Sequence, residues 1–196
     1  MDPPVVPSER LDGWRRVEES TDRPFAAGPV SVTAGTVRYE RTACTPPRPF
    51  CFASRLRIRP ETAPNAALTR LVEIRAKAGF RDRLAERDIE GVEHRGDREL
   101  SVDDPRASRA TLSTYRGWCV VADGDRTADG DRTAERVPVE ALLAVWEAGE
   151  YLLGGGAYPL GDGASALGGG AYEARRELLG IVRGIRPPDE SVETAD

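Results

Sequence analysis

Few side chains in this sequence could carry chemistry. There is one histidine, His94, one lysine, Lys77, and three cysteines, Cys44, Cys51 and Cys119. A Ser-His-Asp or Cys-His mechanism would have to use His94. Its setting, Val-Glu-His-Arg-Gly at 92–96, is charged and predicts a solvated histidine in an exposed turn. A tetrahedral zinc site would need all three cysteines plus His94. The cysteines are odd in number, lack a C-x-x-C spacing and read as reduced structural thiols; a turn could bring Cys44 and Cys51 together. Paired carboxylates such as Asp103-Asp104 are unavoidable among 33 acidic residues and do not indicate acid–base catalysis. No catalytic residue, metal or cofactor is expected.

Two loop-like stretches invite ligand readings. Asp-Gly-Asp-Arg-Thr-Ala occurs twice in tandem, at 123–128 and 129–134. From Asp125 the order Asp, Thr127, Asp129, Gly130, Asp131, Thr133 matches the first half of a calcium loop. Arg136 then stands where a bidentate Glu is required, so a surface loop is the better reading. The glycine-rich stretch 154–170 is bracketed by Leu-Gly-Gly-Gly-Ala-Tyr at 153–158 and 167–172. Gly163 and Gly168 have phosphate-loop spacing, but Gly169-Gly170 replace the Lys-Ser/Thr that would follow. A flexible connector is expected. The alternative is a small-molecule or enzymatic pocket beneath it, with Gly155, Gly156 and Tyr158 as its candidate residues.

Arg55, Arg57 and Arg59 alternate with Leu56 and Ile58. A period of two puts all three guanidinium groups on one face of a strand. Such a row can grip carboxylates or phosphates, and it is the candidate partner-binding surface. Nucleic acid would need a broader basic surface with interleaved aromatics, and is not expected.

The bulk composition narrows the class. The 196 residues carry 28 basic and 33 acidic side chains, a net charge of −5, and 27 of the 28 basic residues are arginine. Residues 1–98 hold 18 basic and 15 acidic groups (+3), and 99–196 hold 10 and 18 (−8), so the charge is dipolar along the chain. There is one asparagine and no glutamine, a bias that suits a GC-rich, salt-adapted source. No apolar run could span a membrane, and the start at Met1-Asp2-Pro3-Pro4 has no signal-peptide pattern, so a cytoplasmic location is expected.

The elements that must position these residues can be read from periodicity. Residues 1–12 are Pro-rich and predict a flexible lead, 13–186 a single domain, and 187–196 an acidic disordered tail. The fold is expected to begin near Trp14. Strands are predicted over 30–40 and 50–58 as a hairpin, then over 98–102 and 110–122, with two paired strands in 137–153. Leu68, Leu71, Val72, Ala76, Gly79, Phe80 and Leu84 form one stripe, predicting a helix capped by Thr62 or Asn65, either continuous to about Asp88 or broken at Gly79. A second helix is predicted over 171–184, ended by Pro187-Pro188. The class is α+β: an antiparallel sheet covered by two amphipathic helices.

This order of elements resembles the Mog1/PsbP-like fold, through the pair 30–40 and 50–58, the helix from Asn65, the strands through Trp146 and Tyr151, and the closing segment Glu177–Ile185. The stretch Val145–Pro159 is also similar to uncharacterised proteins of salt-loving archaea. The resemblance implies a non-catalytic binding or assembly module, since members of that fold class act mostly so; the arginine row points to an acidic protein as its partner.

Overall fold

The strands follow from β-branched and aromatic residues at alternate positions, each side of the sheet needing its own apolar cover. The structure is a computed structural model, and it describes residues 1–27, 30–107, 109–122, 134–160 and 170–188. In chain order the elements are β1 (Arg15–Ala27), β2 (Val30–Glu40), β3 (Phe50–Arg59), α1 (Ala66–Ala85), β4 (Ile89–Leu100), β5 (Ala110–Ala122), β6 (Ala134–Glu147), β7 (Tyr151–Pro159) and α2 (Gly170–Arg183). Together the strands make one seven-stranded sheet in the order β1-β2-β3-β7-β6-β5-β4, with every neighbouring pair antiparallel. The expected α+β class is therefore observed.

The two helices lie on opposite sides of the sheet. Ala174, Leu178, Ile181 and Val182 of α2 pack with Cys51, Ala53, Leu112, Leu142, Ala144, Trp146 and Leu152. Val72, Phe80 and Leu84 of α1 pack with Phe50, Tyr115, Ala141, Leu143, Val145 and Leu153. Alternate residues of β6 thus serve opposite cores, which explains its nearly unbroken apolar run. Asn65 caps α1, its side chain accepting from the Leu68 amide at 3.0 Å, and α1 runs through Gly79 without a break.

Four expectations are corrected. The Pro-rich lead is docked: Val5 pairs with Arg186, Val6 is buried, a 3₁₀ turn forms at Ser8–Arg10, and Arg10 hydrogen-bonds Gly180 and Asp103. The docking covers apolar surface beside α2 that the sheet would otherwise expose. Residues 15–27 and 89–97 are also strand. They lack clean alternation because β1 and β4 are the sheet edges, where charged residues and bulges discourage pairing with another chain. His94 accordingly lies in β4 and not in a turn, although it is exposed. Residues 154–159 belong to the central strand β7 and not to a connector.

The glycines of β7 have a steric reason. A Cβ on Gly155 would stand 2.3 Å from the Leu142 carbonyl oxygen, and one on Gly156 2.0 Å from that of Phe50. Backbones of both neighbouring strands approach too closely for any side chain there.

Candidate functional site

The arginine row of β3 is placed by alternation. Cys51 and Ala53 face α2, so Arg55, Arg57 and Arg59 continue along that side of the sheet. Strand β7 starts at Tyr151, opposite Leu56, and Arg57 and Arg59 therefore lie beyond it, with only Thr33 and Ser31 of β2 alongside. Both are exposed and have no ion-pair partner among the described residues. Arg55 departs from the expected row. Its Nε donates to Glu150 Oε2 at 2.5 Å, and the two side chains are only 14% and 20% exposed, so its charge is already spent on the β6–β7 turn.

The expected pocket residues also divide. Gly155 and Gly156 are buried between β3 and β6, where the neighbouring backbones leave no cavity for them to line. Tyr158 does border a cavity of about 370 Å³ at the end of the sheet, with Ala157 and Pro159, Phe50, Ile89, Cys119 and Val139. The turn with the cis Pro46-Pro47 peptide bond borders it too, and so does Arg87, whose guanidinium sits 4.0 Å from the Phe50 ring centroid and donates to Glu40. The calcium-like residues 125–133 and the phosphate-loop residues 163–168 lie outside the described residues.

A buried carboxylate on the α2 side was not anticipated. Glu140 of β6 is 4% exposed, accepts hydrogen bonds from the Tyr158 hydroxyl and Arg175 of α2, and pairs with Arg116 of β5 at 3.5 Å. Burial and the adjacent Glu140 carboxylate push the Tyr158 phenol well above its ordinary range, so it stays a donor. No spacing signal could reveal this group, because its members lie on four elements and span residues 116–175.

The lone lysine and lone histidine converge. Asp97 accepts from Lys77 Nζ at 2.8 Å, His94 Nε2 at 2.8 Å and Ser113 Oγ at 2.6 Å. Burial works to raise the Asp97 carboxyl, but these hydrogen bonds outweigh it and hold the group well below the usual carboxylate range. Ser, His and Asp are all present, yet the order of contacts is not that of a nucleophile site. The serine donates to the carboxylate instead of to the imidazole, so no base is placed to take its proton. The three cysteines are free and buried, and burial, reinforced by Glu177, pushes the Cys51 thiol far up. Among the described residues no three His, Cys, Asp or Glu side chains are grouped to hold a metal ion, and no helix is long and apolar enough to cross a membrane.

Fold and site together define an α+β protein built on one antiparallel sheet, with exposed Arg57 and Arg59 at the end of β3. The chain belongs to the family described as a domain of unknown function, DUF6517, whose model matches residues 3–186. No curated protein and no solved structure matches it.

Proposed function

We propose that this protein is a non-catalytic binding module that docks an acidic protein partner on Arg57 and Arg59 at the end of β3. One observation carries this reading: two adjacent guanidinium groups stand on one side of the sheet, exposed and without an ion-pair partner among the described residues, beyond the point where β7 ends. Guanidinium forks on a rigid strand are well suited to carboxylates, since the strand fixes their spacing and little ordering is needed on binding. If the order of elements is of the Mog1/PsbP-like kind, that analogy favours an assembly role, and the composition favours the cytoplasm of a salt-loving archaeon. The test is fluorescence anisotropy with a labelled polyglutamate peptide at low salt. Arg57→Glu should abolish saturable binding while leaving the melting temperature within about 1 °C, because exposed charges contribute little to stability. Equal affinity in both forms would sink the assignment.

A second reading is favoured by the cavity beside Ala157–Pro159, whose mixed apolar and polar walls, with the exposed Arg48 among them, fit a small amphipathic acid. A thermal-shift screen with aliphatic and aromatic carboxylates should then give a saturable rise, and a flat screen rejects it.

A further inference from the structure

We propose that a trough between β4, β5 and α2 is a binding site for a phosphate group, separate from the arginines of β3. It is open, about 570 Å³ in volume, and lined by Arg95 and Arg98 of β4, Thr114 and Arg116 of β5, and Arg175 of α2, with Glu140 beside them. The antiparallel register puts Arg98 opposite Leu112 and Arg116 opposite Glu93. Leu112 belongs to the core under α2, so Arg98 and Arg116 project to the side where Arg175 descends from the helix. Gly96 follows a bulge in β4, has φ +145°, and has no atom within 4 Å of where a Cβ would stand. Part of the trough is thereby left bare for a ligand.

The charges do not cancel. Arg95 pairs with Glu93 at 3.2 Å, Arg116 and Arg175 share Glu140, and Arg98 has no partner among the described residues. Four guanidinium charges against these two carboxylates leave two positive charges. Asp97 also borders the trough, but Lys77 offsets its charge. A dianion matches that excess. Donors arriving from two strands and a helix suit a tetrahedral anion, which accepts from several directions, better than a planar carboxylate, which one fork satisfies.

Glu140 supplies the preorganisation. A buried ion pair is a weak device for stability, since an apolar set in place of all its members is often as stable. What Glu140 does is hold Arg116 and Arg175 in place before a ligand arrives, so that binding orders fewer side chains.

The phosphate could be the free ion or the end of an ester, and the test separates them. Isothermal titration of the full chain at low salt uses inorganic phosphate, phenyl phosphate and, as control, acetate. Saturable 1:1 binding of either phosphate probe, weakened by added sodium chloride, is expected, with no saturation by acetate. The tighter of the two probes identifies the source. Arg98→Ala removes a side chain that holds nothing else in place, and should weaken binding about tenfold, as for loss of one charge-assisted hydrogen bond. Arg57→Ala should bind as wild type, which keeps this site distinct from the acidic-partner surface. The proposal is overturned if neither phosphate probe saturates, if acetate binds as tightly, or if Arg98→Ala is unchanged.

Discussion

Gly156→Ala puts the architecture of β7 to a severe test with a single methyl group. The added Cβ would stand 2.0 Å from the Phe50 carbonyl oxygen and 2.9 Å from the Cys51 Cα, both backbone atoms of β3. Contacts of this kind need at least 3.0 Å, so β3 and β7 must separate by about an ångström at the middle of the sheet. Overpacking of that kind costs roughly 1–3 kcal/mol. One or two cross-strand hydrogen bonds stretched beyond useful length add about 1 kcal/mol each. The sum, roughly 2–5 kcal/mol, is a large fraction of the 5–15 kcal/mol typical of a whole domain. Urea unfolding followed by circular dichroism should show the midpoint fall sharply, and the melting temperature should drop by roughly 4–20 °C. Gly79→Ala is the matched control. Gly79 lies in α1 with nothing within 4 Å of the new methyl, so alanine should stabilise by about 0.5–1 kcal/mol. If Gly156→Ala unfolds at the wild-type midpoint, residues 154–156 do not sit between β3 and β6, and the placement of the central strand is wrong.

Three further outcomes follow from the same contacts. Asn65→Ala should destabilise by about 1 kcal/mol in urea titration through loss of the Leu68 cap, and an unchanged midpoint would mean that the cap does not form. Glu140→Ala leaves the buried Tyr158 hydroxyl without its acceptor and Arg175 without its ion partner and should cost about 1–3 kcal/mol, checked by chemical denaturation; an unchanged midpoint would show the network to be solvated. The Asp97 carboxyl is held below its ordinary value in the folded chain, so the stability it contributes is present above the unfolded value near 3.9 and is lost as pH falls below that. Melting curves of the wild type between pH 5 and 2 should therefore fall more steeply than those of Asp97→Asn, and parallel curves would remove Asp97 from the account.

Much of the fold could be read from periodicity because helices and inner strands bury one face at a fixed repeat. The stripe from Leu68 to Leu84 marks α1, and Ala174, Leu178 and Ile181 mark α2. Only the end of β4 was read as strand, because Ile89 and Leu100 at its ends alone are buried and the polar run between them carries no alternation. Strand β7 was misread for the opposite reason. Three glycines look like a connector, yet here they occupy the most crowded part of the sheet. The hexapeptide Leu-Gly-Gly-Gly-Ala-Tyr shows how little local composition decides: its first copy lies in β7, while Gly170, Ala171 and Tyr172 of the second open α2. The arginine row was visible as a spacing of two. The neutralisation of Arg55 by Glu150 was not, because it depends on where a distant turn lands. The cluster of Lys77, His94 and Asp97 and the trough around Glu140 were invisible for the same reason, since residues far apart in sequence meet only across the sheet.

The position of β7 also sets the order in which the chain can be assembled on the ribosome. The meander β1-β2-β3 and the group β4-β5-β6 are both synthesised before residues 151–159, yet their strands join into one sheet only through β7, which pairs with both β3 and β6. Until that strand emerges, two inner edges carry open hydrogen-bonding groups and neither half can close on the other. The pairing of Val5 with Arg186 then joins two distant parts of the fold, so it is sealed only once residue 186 has been made. A nascent chain arrested before Tyr151 would present both edges at once, and its exposure to aggregation would last as long as the arrest.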